Sequence, residues 1–154
     1  MTELRSRLLC EMTADLETHP IGPTPGGMRL VAAVTGGTLT GDRLSGRVLP
    51  FGGDFALTTA DGCLHIDVRA GFETHDGARI YATYGGRLMV PPEHAAALAD
   101  PRLRDSLDPS KYYFRTAPLF ETGDERYAWL NRILAVGMGR LTATGVAYRI
   151  FEIL

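Results

Sequence analysis

Apolar residues occupy every second position over several short segments of the chain. The clearest case is the segment 64–72, and the segment 79–84 alternates in the same way. A period of two is that of a β-strand whose two faces meet different surroundings. The segments 130–136 and 146–153 are apolar on both faces, which predicts strands that are covered on both sides or that lie in a subunit interface.

Turn-forming residues separate these segments. The 154 residues include 18 glycines and 9 prolines, and pairs such as Asp61-Gly62 and Asp76-Gly77 recur along the chain. Short strands with turns at intervals of roughly 8–12 residues are typical of an all-β sandwich or barrel. One helix is predicted over 93–98, after Pro91-Pro92, and a second helical turn near 102–107. The length suits a single domain over residues 1–154.

Composition and motifs narrow the function classes. The net charge of −2 and the lack of a basic run argue against nucleic-acid and anionic-membrane partners. No signal peptide or transmembrane run is recognisable, so we expect a cytoplasmic protein with Cys10 and Cys63 as reduced thiols. Phosphate-loop and serine-hydrolase motifs are absent, and the four histidines lack metal-site spacing. The one chelate-like run, 73–76, is interpreted as a turn, and neither a metal nor a cofactor is predicted.

Several unusual strings in the chain resemble one family. They are Gly22–Gly27, Gly52-Gly53-Asp54-Phe55, Tyr112–Gly123 and Tyr127–Arg132. In this order they are similar to the signature of the domain of unknown function 3237 family, from about residue 5 to residue 153. The resemblance implies a closed antiparallel β-barrel, lipocalin-like or allene-oxide-cyclase-like, that often forms homodimers. It implies little about activity, and Phe55 stands where tryptophan is common in the family.

Three charged residues are candidates for catalysis. Asp54 follows two glycines, which can present a carboxylate at a barrel mouth as a general base; the alternative is a residue that caps its own turn. Arg115 and Glu121 share strand parity. Arg115 could bind a ligand oxygen, or the two could form a structural ion pair at the barrel mouth.

The predicted ligand-binding residues are mainly aromatic, and a cavity that binds a flat, oxygenated molecule uses such side chains. They are Tyr81, Tyr84, Phe114, Tyr127, Trp129 and Asn131. We expect Tyr127, Trp129 and Asn131 to share one face of a strand. The polar positions His65, Asp67 and Arg69 line the cavity if they point inward, but we favour their being solvated.

Three functions fit these residues. The first is a cofactor-independent isomerase, cyclase or lyase that uses acid–base catalysis on a small carbonyl, phenolic or polyketide-like compound. The second is a non-catalytic carrier of a small hydrophobic ligand. The third is an assembly module in which the strand 146–153 forms a homodimer interface. We favour the enzyme, with the carrier as the alternative.

Overall fold

The computed structural model describes residues 3–154 and is mostly β-structure. Nine strands lie within these residues. They are β1 (Ser6–Thr24), β2 (Gly27–Thr40), β3 (Gly46–Val48), β4 (Gly53–Thr58), β5 (Leu64–Thr74), β6 (Arg79–Met89), β7 (Tyr113–Glu121), β8 (Ala135–Leu141) and β9 (Gly145–Ile153). The predicted alternating segments 64–72 and 79–84 fall in β5 and β6, and 146–153 falls in β9.

The strands close into an antiparallel ring. From β5 the pairing runs through β6, β7, β8 and β9 to β1, and β1 also pairs with β2. The short strands β3 and β4 both lie between β2 and β5, so they share one position in the ring. Each strand of the ring is paired on both sides, although β7 and β8 share only the pairs Arg115–Met138 and Thr116–Gly137. The predicted closed antiparallel barrel is therefore confirmed.

Short helices fill the connection between β6 and β7. A 3-10 turn, Pro92–His94, leads into α1 (Ala95–Ala99), and two more 3-10 turns follow at Arg104–Ser106 and Pro109–Lys111. The predicted helix after the proline pair is confirmed, as is the helical turn within 102–107. No helix in the described part of the chain is long and apolar enough to cross a membrane.

One element differs from the sequence prediction. Residues Glu125–Arg132 form a 3-10 helix, and β8 begins only at Ala135. The expected strand through Tyr127, Trp129 and Asn131 is therefore wrong, and of the expected strand 130–136 only residues 135–136 belong to β8. Tyr127 and Leu130 are buried and stand three residues apart, which places them on one face of a helix with three residues per turn.

Large side chains fill one end of the barrel. Leu9, Leu44, Phe72 and Leu130 are each at most 1% exposed, and they close the end against which the 3-10 helix Glu125–Arg132 packs. The other end, where β5 begins and β6 ends, lies beneath the connection 90–112. The core is therefore filled at one end and hollow at the other.

The alternation on β5 decides which of its faces points inward. Ile66, Val68 and Ala70 are buried, while Asp67 and Arg69 are exposed and form an ion pair with each other at 2.8 Å. The preference for a solvated polar face is confirmed. On β9 the inward side chains are buried, but outward positions such as Arg149 stay exposed, so that strand is covered on both sides only in part.

Candidate functional site

The hollow end of the barrel contains a cavity of about 700 Å³. Most of its lining is aliphatic or aromatic. Representative lining residues are Leu16, Ala32, Ala56, Val68, Leu88 and Phe114. A largely apolar cavity of this volume, with a few polar groups, is what a small-molecule site requires.

Asp54 reaches the cavity from β4. The backbone pairs Asp54 with Ala32 on β2 and with Val68 on β5, and both partners also line the cavity. Two glycines allow this placement. Gly52 has a φ of +79°, and a Cβ on Gly53 would lie 2.7 Å from the carbonyl oxygen of Ala32. The glycine pair therefore lets β4 approach β2 closely and turns the carboxylate inward.

The carboxylate of Asp54 has one backbone partner. The β4–β5 ladder is interrupted after the Asp54–Val68 pair and resumes at Leu57–His65. In this gap the backbone N–H of Asp67 donates to Oδ1 of Asp54 at 2.9 Å. This bond favours ionisation, but burial outweighs it and raises the pKa of Asp54 from 3.8 to about 6.

Two tyrosines share the cavity with Asp54. Tyr84 on β6 pairs with Val68, and Tyr148 on β9 packs edge-to-face against Tyr84 with ring centroids 5.9 Å apart. Burial raises the pKa of both phenols, and the negative charge of Asp54 adds to this effect. A hydrogen bond between the two phenols raises the pKa of Tyr148 and lowers that of Tyr84, as expected when Tyr148 donates to Tyr84. Both hydroxyls stay protonated near neutral pH, and Tyr84 can pass the donor chain on to a ligand.

Of the nine residues proposed from the sequence, three line the cavity: Asp54, Tyr84 and Phe114. Tyr148, whose ring lies 5.3 Å from that of Phe114, was not predicted. Its strand is apolar on both faces, so parity does not separate inward from outward positions. The clue in the sequence is the Val146-Tyr148-Ile150 spacing, which places the phenol on the same face as two buried aliphatic side chains.

Arg115 and Glu121 lie on the outer face of β7. The buried positions of this strand, Phe114 and Phe120 among them, point inward, so the odd-numbered positions point outward. Arg115 donates to the carbonyl of Phe114 at 2.9 Å and lies over the ring of Tyr113 at 5.2 Å. Their shared parity is confirmed, but in the described residues no ion pair joins Arg115 to Glu121, and neither lines the cavity with Asp54.

Tyr127 and Trp129 belong to the closed end of the barrel. The hydroxyl of Tyr127 donates to Asp76 at 2.9 Å, and the guanidinium of Arg43 lies 4.3 Å from the ring centroid of Trp129. The first contact anchors the 3-10 helix to the turn between β5 and β6, and the second anchors it to the connection between β2 and β3. Both aromatic rings are therefore separated from the cavity by the packed core.

Asn131 and Tyr81 also lie outside the cavity. Asn131 accepts from the backbone N–H of Thr122 at 2.8 Å and donates to the carbonyl of Thr122 at 2.9 Å. Its amide therefore has backbone partners rather than a ligand. Tyr81 points outward from β6 and is 40% exposed.

The run 73–76 makes contacts typical of a turn. Glu73 forms ion pairs with Arg47 and Arg79, and Asp76 accepts from the hydroxyl of Thr74 at 2.6 Å. Among residues 3–154, no three histidine, cysteine or acidic side chains are close enough together to hold a metal ion. The side chains of this run are thus already used to shape the hairpin.

A family model described as "protein of unknown function (DUF3237)" matches residues 5–153. The chain belongs to the DUF3237 family. A UPF0311 protein of Rhodopseudomonas palustris strain TIE-1 is 34% identical over 128 residues, which are 83% of this chain and 82% of that protein. A UPF0311 protein of Clostridium acetobutylicum is 34% identical over 116 residues, 75% of this chain and 72% of that protein.

Solved structures share the fold of this DUF3237 chain. A conserved protein of unknown function from R. palustris has a TM-score of 0.91 at 32% identity, with complete coverage of both chains. A beta-barrel like protein from Acinetobacter baumannii has a TM-score of 0.84 at 30% identity, covering 100% of this chain and 98% of that one. An enzyme from Penicillium herquei has a TM-score of 0.74 at 22% identity, covering 100% and 97% of the two chains. At that identity the likeness concerns the fold alone.

Proposed function

We propose that this DUF3237 protein is a cofactor-independent enzyme that moves a proton on a small carbonyl or phenolic compound held in the barrel cavity. The observation that carries the proposal is the position of Asp54, a half-buried carboxylate in a mostly apolar cavity beside two phenols. A fold shared with an enzyme from P. herquei is compatible with catalysis but does not select a reaction.

Asp54 has the properties of a general base. With a pKa of about 6 it is mainly ionised at pH 7, and its conjugate acid is strong enough to return a proton. The apolar surroundings leave the carboxylate poorly solvated, which increases its basicity toward a C–H group next to a carbonyl. An ordinary exposed aspartate is a much weaker base.

Tyr84 and Tyr148 supply the complementary group. When a proton leaves the carbon next to a carbonyl, the electron pair moves onto the carbonyl oxygen. A neutral phenol that donates a hydrogen bond to this oxygen stabilises the resulting enolate. A base carboxylate combined with neutral hydroxyl donors is a known arrangement for enolate chemistry. Return of the proton from Asp54 to a different atom completes an isomerisation. In a cyclisation, the enolate carbon attacks a second carbonyl of the same molecule, and the resulting alkoxide oxygen takes the proton back from Asp54.

Arg115 and Glu121, which are candidates for catalysis from the sequence, take no part in this scheme. Both side chains lie on the outer face of β7, so neither reaches a ligand bound beside Asp54. The proton-transfer step therefore uses Asp54 as the acid–base group and the two phenols as donors. Phe114 contributes an apolar wall.

The test is proton exchange in D₂O. A panel of cyclic ketones, β-diketones and hydroxynaphthalenes is incubated with the protein, and loss of C–H signals is followed by NMR. We expect at least one compound to exchange, with a rate that rises with pH to a plateau around a pKa of about 6. Asp54→Asn should slow the exchange by about 10²- to 10⁴-fold, and Tyr84→Phe or Tyr148→Phe by about 10-fold or more.

Asp42→Asn is the matched control. Asp42 is an exposed carboxylate in the connection between β2 and β3, and it does not line the cavity. Its substitution should leave the exchange rate unchanged. Exchange that persists in Asp54→Asn at the wild-type rate would remove Asp54 as the base and with it the proposed mechanism.

A non-catalytic carrier is the alternative, and one contact favours it. Oδ1 of Asp54 fills a gap in the β4–β5 ladder by accepting from the Asp67 backbone, which is a structural task. A carrier binds members of the panel with micromolar affinity and exchanges none of them. That combination would favour the carrier over the enzyme.

A further inference from the structure

Arg104 stands apart from the other groups around the cavity. It is the one cationic side chain in the cavity lining of the described residues, and it belongs to the 3-10 turn Arg104–Ser106 in the connection that covers the hollow end. Asp54 lies deeper. On β5, Leu64 lines the outer part of the cavity, and Val68, which pairs with Asp54, lines the inner part. The four-residue step between these two positions spans about 13 Å of strand.

Backbone groups, not carboxylates, hold the guanidinium of Arg104. Its Nε donates to the carbonyl of Leu98 at 2.7 Å, and its Nη1 reaches the carbonyl of Thr142 at 3.5 Å. Its Nη2 group has no acceptor among residues 3–154, and no ion pair involves Arg104 there. The two carbonyls fix the plane of the guanidinium and leave N–H groups for a further acceptor.

The arginine beside it behaves differently. Arg102 places two nitrogens on the carboxylate of Asp100, with N–O distances of 3.2 and 2.9 Å, and it does not line the cavity. Hydrogen bonds from Arg102, and beyond them the charge of Arg104, hold the pKa of Asp100 below its usual value. Within the described cavity lining, the carboxylate at the outer part is Asp15, which is exposed and accepts from the hydroxyl of Thr144 at 2.8 Å. Asp15 therefore opposes an anion at this end, whereas Arg104 attracts one.

We propose that Arg104 selects ligands that carry an anionic oxygen group, such as a carboxylate, at the end remote from Asp54. The inference rests on the proposed use of the cavity and narrows its substrate class. The preferred ligand is an amphipathic acid: an apolar body of about 10 Å, a carbonyl or phenol at the inner end and an anionic group at the outer end. A planar oxyanion matches the guanidinium fork, which makes charge-assisted hydrogen bonds.

A matched pair of fluorescent probes tests this inference. 8-Anilinonaphthalene-1-sulfonate and N-phenyl-1-naphthylamine share the same aromatic body, and only the first carries an anion. Each is titrated into the full-length protein, and binding is confirmed with naphthaleneacetate and naphthaleneacetamide as competitors. We expect the anionic member of each pair to bind more tightly. Arg104→Met should weaken the sulfonate probe by about 10- to 100-fold and change the neutral probe by less than twofold.

Three variants complete the design. Arg102→Met should leave both probes unchanged, and Arg104→Lys should keep part of the anion preference. Asp15→Asn should tighten the sulfonate probe by a few-fold, because it removes the opposing charge. Ala32→Trp fills the cavity and should abolish binding of both probes. Thermal unfolding of each variant shows whether it is folded.

Two results would overturn the inference. Equal weakening of the charged and neutral probes in Arg104→Met would mean that Arg104 only holds the covering connection in place. An anion preference that survives in Ala32→Trp would locate the anion site outside the cavity. If either result is obtained while proton exchange still depends on Asp54, the inference about Arg104 fails and the proposed function stands. If no proton exchange is found but the anion preference depends on Arg104, the proposed function fails and the inference about Arg104 stands.

Discussion

Replacement of Asp54 by asparagine should stabilise the protein at neutral pH. Burial raises the pKa of Asp54 from 3.8 to about 6, so the folded protein holds this proton more tightly than the unfolded chain does. Stability from this group is therefore fully present below pH 3.8 and is lost as the pH rises to about 6. Above that pH the charged carboxylate destabilises the fold by a constant amount.

The size of the effect follows from the two pKa values. Each pKa unit corresponds to about 1.4 kcal/mol, so the rise to about 6 corresponds to about 3 kcal/mol. Asparagine keeps an oxygen that can accept from the Asp67 backbone N–H, now bonded to Oδ1 of Asp54 at 2.9 Å. We therefore expect Asp54→Asn to raise the free energy of unfolding by about 2–3 kcal/mol at pH 8 and by about 0 at pH 3.5.

Urea unfolding followed by circular dichroism measures this difference. At pH 8 the midpoint of Asp54→Asn should lie about 1 M urea or more above wild type, and the gap should close between pH 6 and pH 4. Asp42→Asn, which removes an exposed carboxylate from the connection between β2 and β3, should show no such pH-dependent gap. An Asp54→Asn variant that is less stable than wild type at pH 8 would refute the reasoning, because the charge would then stabilise the fold.

Two further predictions concern the backbone and the thiols. Gly52→Ala should destabilise the protein by about 2 kcal/mol or more, because a Cβ there would lie 2.1 Å from the carbonyl oxygen of Arg69. Gly62 has a similar φ of +83° but open space around it, so Gly62→Ala should cost about 1 kcal/mol. The urea midpoints of the two variants test this difference. Cys10 and Cys63 are free and buried, and burial raises the pKa of the Cys10 thiol to about 12. An aromatic disulfide reagent at pH 8 should therefore label Cys10 only as fast as the protein unfolds. Labelling of Cys10 within seconds would contradict this prediction.

The fold could be predicted because strand period and turn chemistry are local properties. Segment 64–72 alternates strictly, and the turns on either side of it carry the Asp-Gly pairs 61–62 and 76–77, so both its strand structure and its buried face follow from the sequence. Ring closure through β1 depends on pairings with β2 and β9, which lie far apart in the chain. Only the family resemblance predicted that the sheet closes into a barrel.

The site was predictable only in part, for two physical reasons. On β7, apolar residues stand on both faces, so parity groups Arg115 with Glu121 but does not reveal that their face is the outer one. In the segment 125–132, buried residues recur at a spacing of three while aromatic residues also recur at a spacing of two. Helix and strand patterns therefore coexist there, and the tertiary packing of Tyr127 decides between them.

The identity of residue 54 bears on the choice between an enzyme and a carrier. Asparagine could accept the Asp67 N–H through the same kind of oxygen without burying a charge, so the structural task does not require a carboxylate. The carboxylate costs stability at neutral pH and adds one capability, the uptake and return of a proton near pH 6. Tyr84 and Tyr148, kept protonated by the same burial, stand beside it as donors. The proposed acid–base chemistry gives a reason for a group that weakens the fold and faces the cavity, whereas a carrier does not require one, so we favour the enzyme over the carrier.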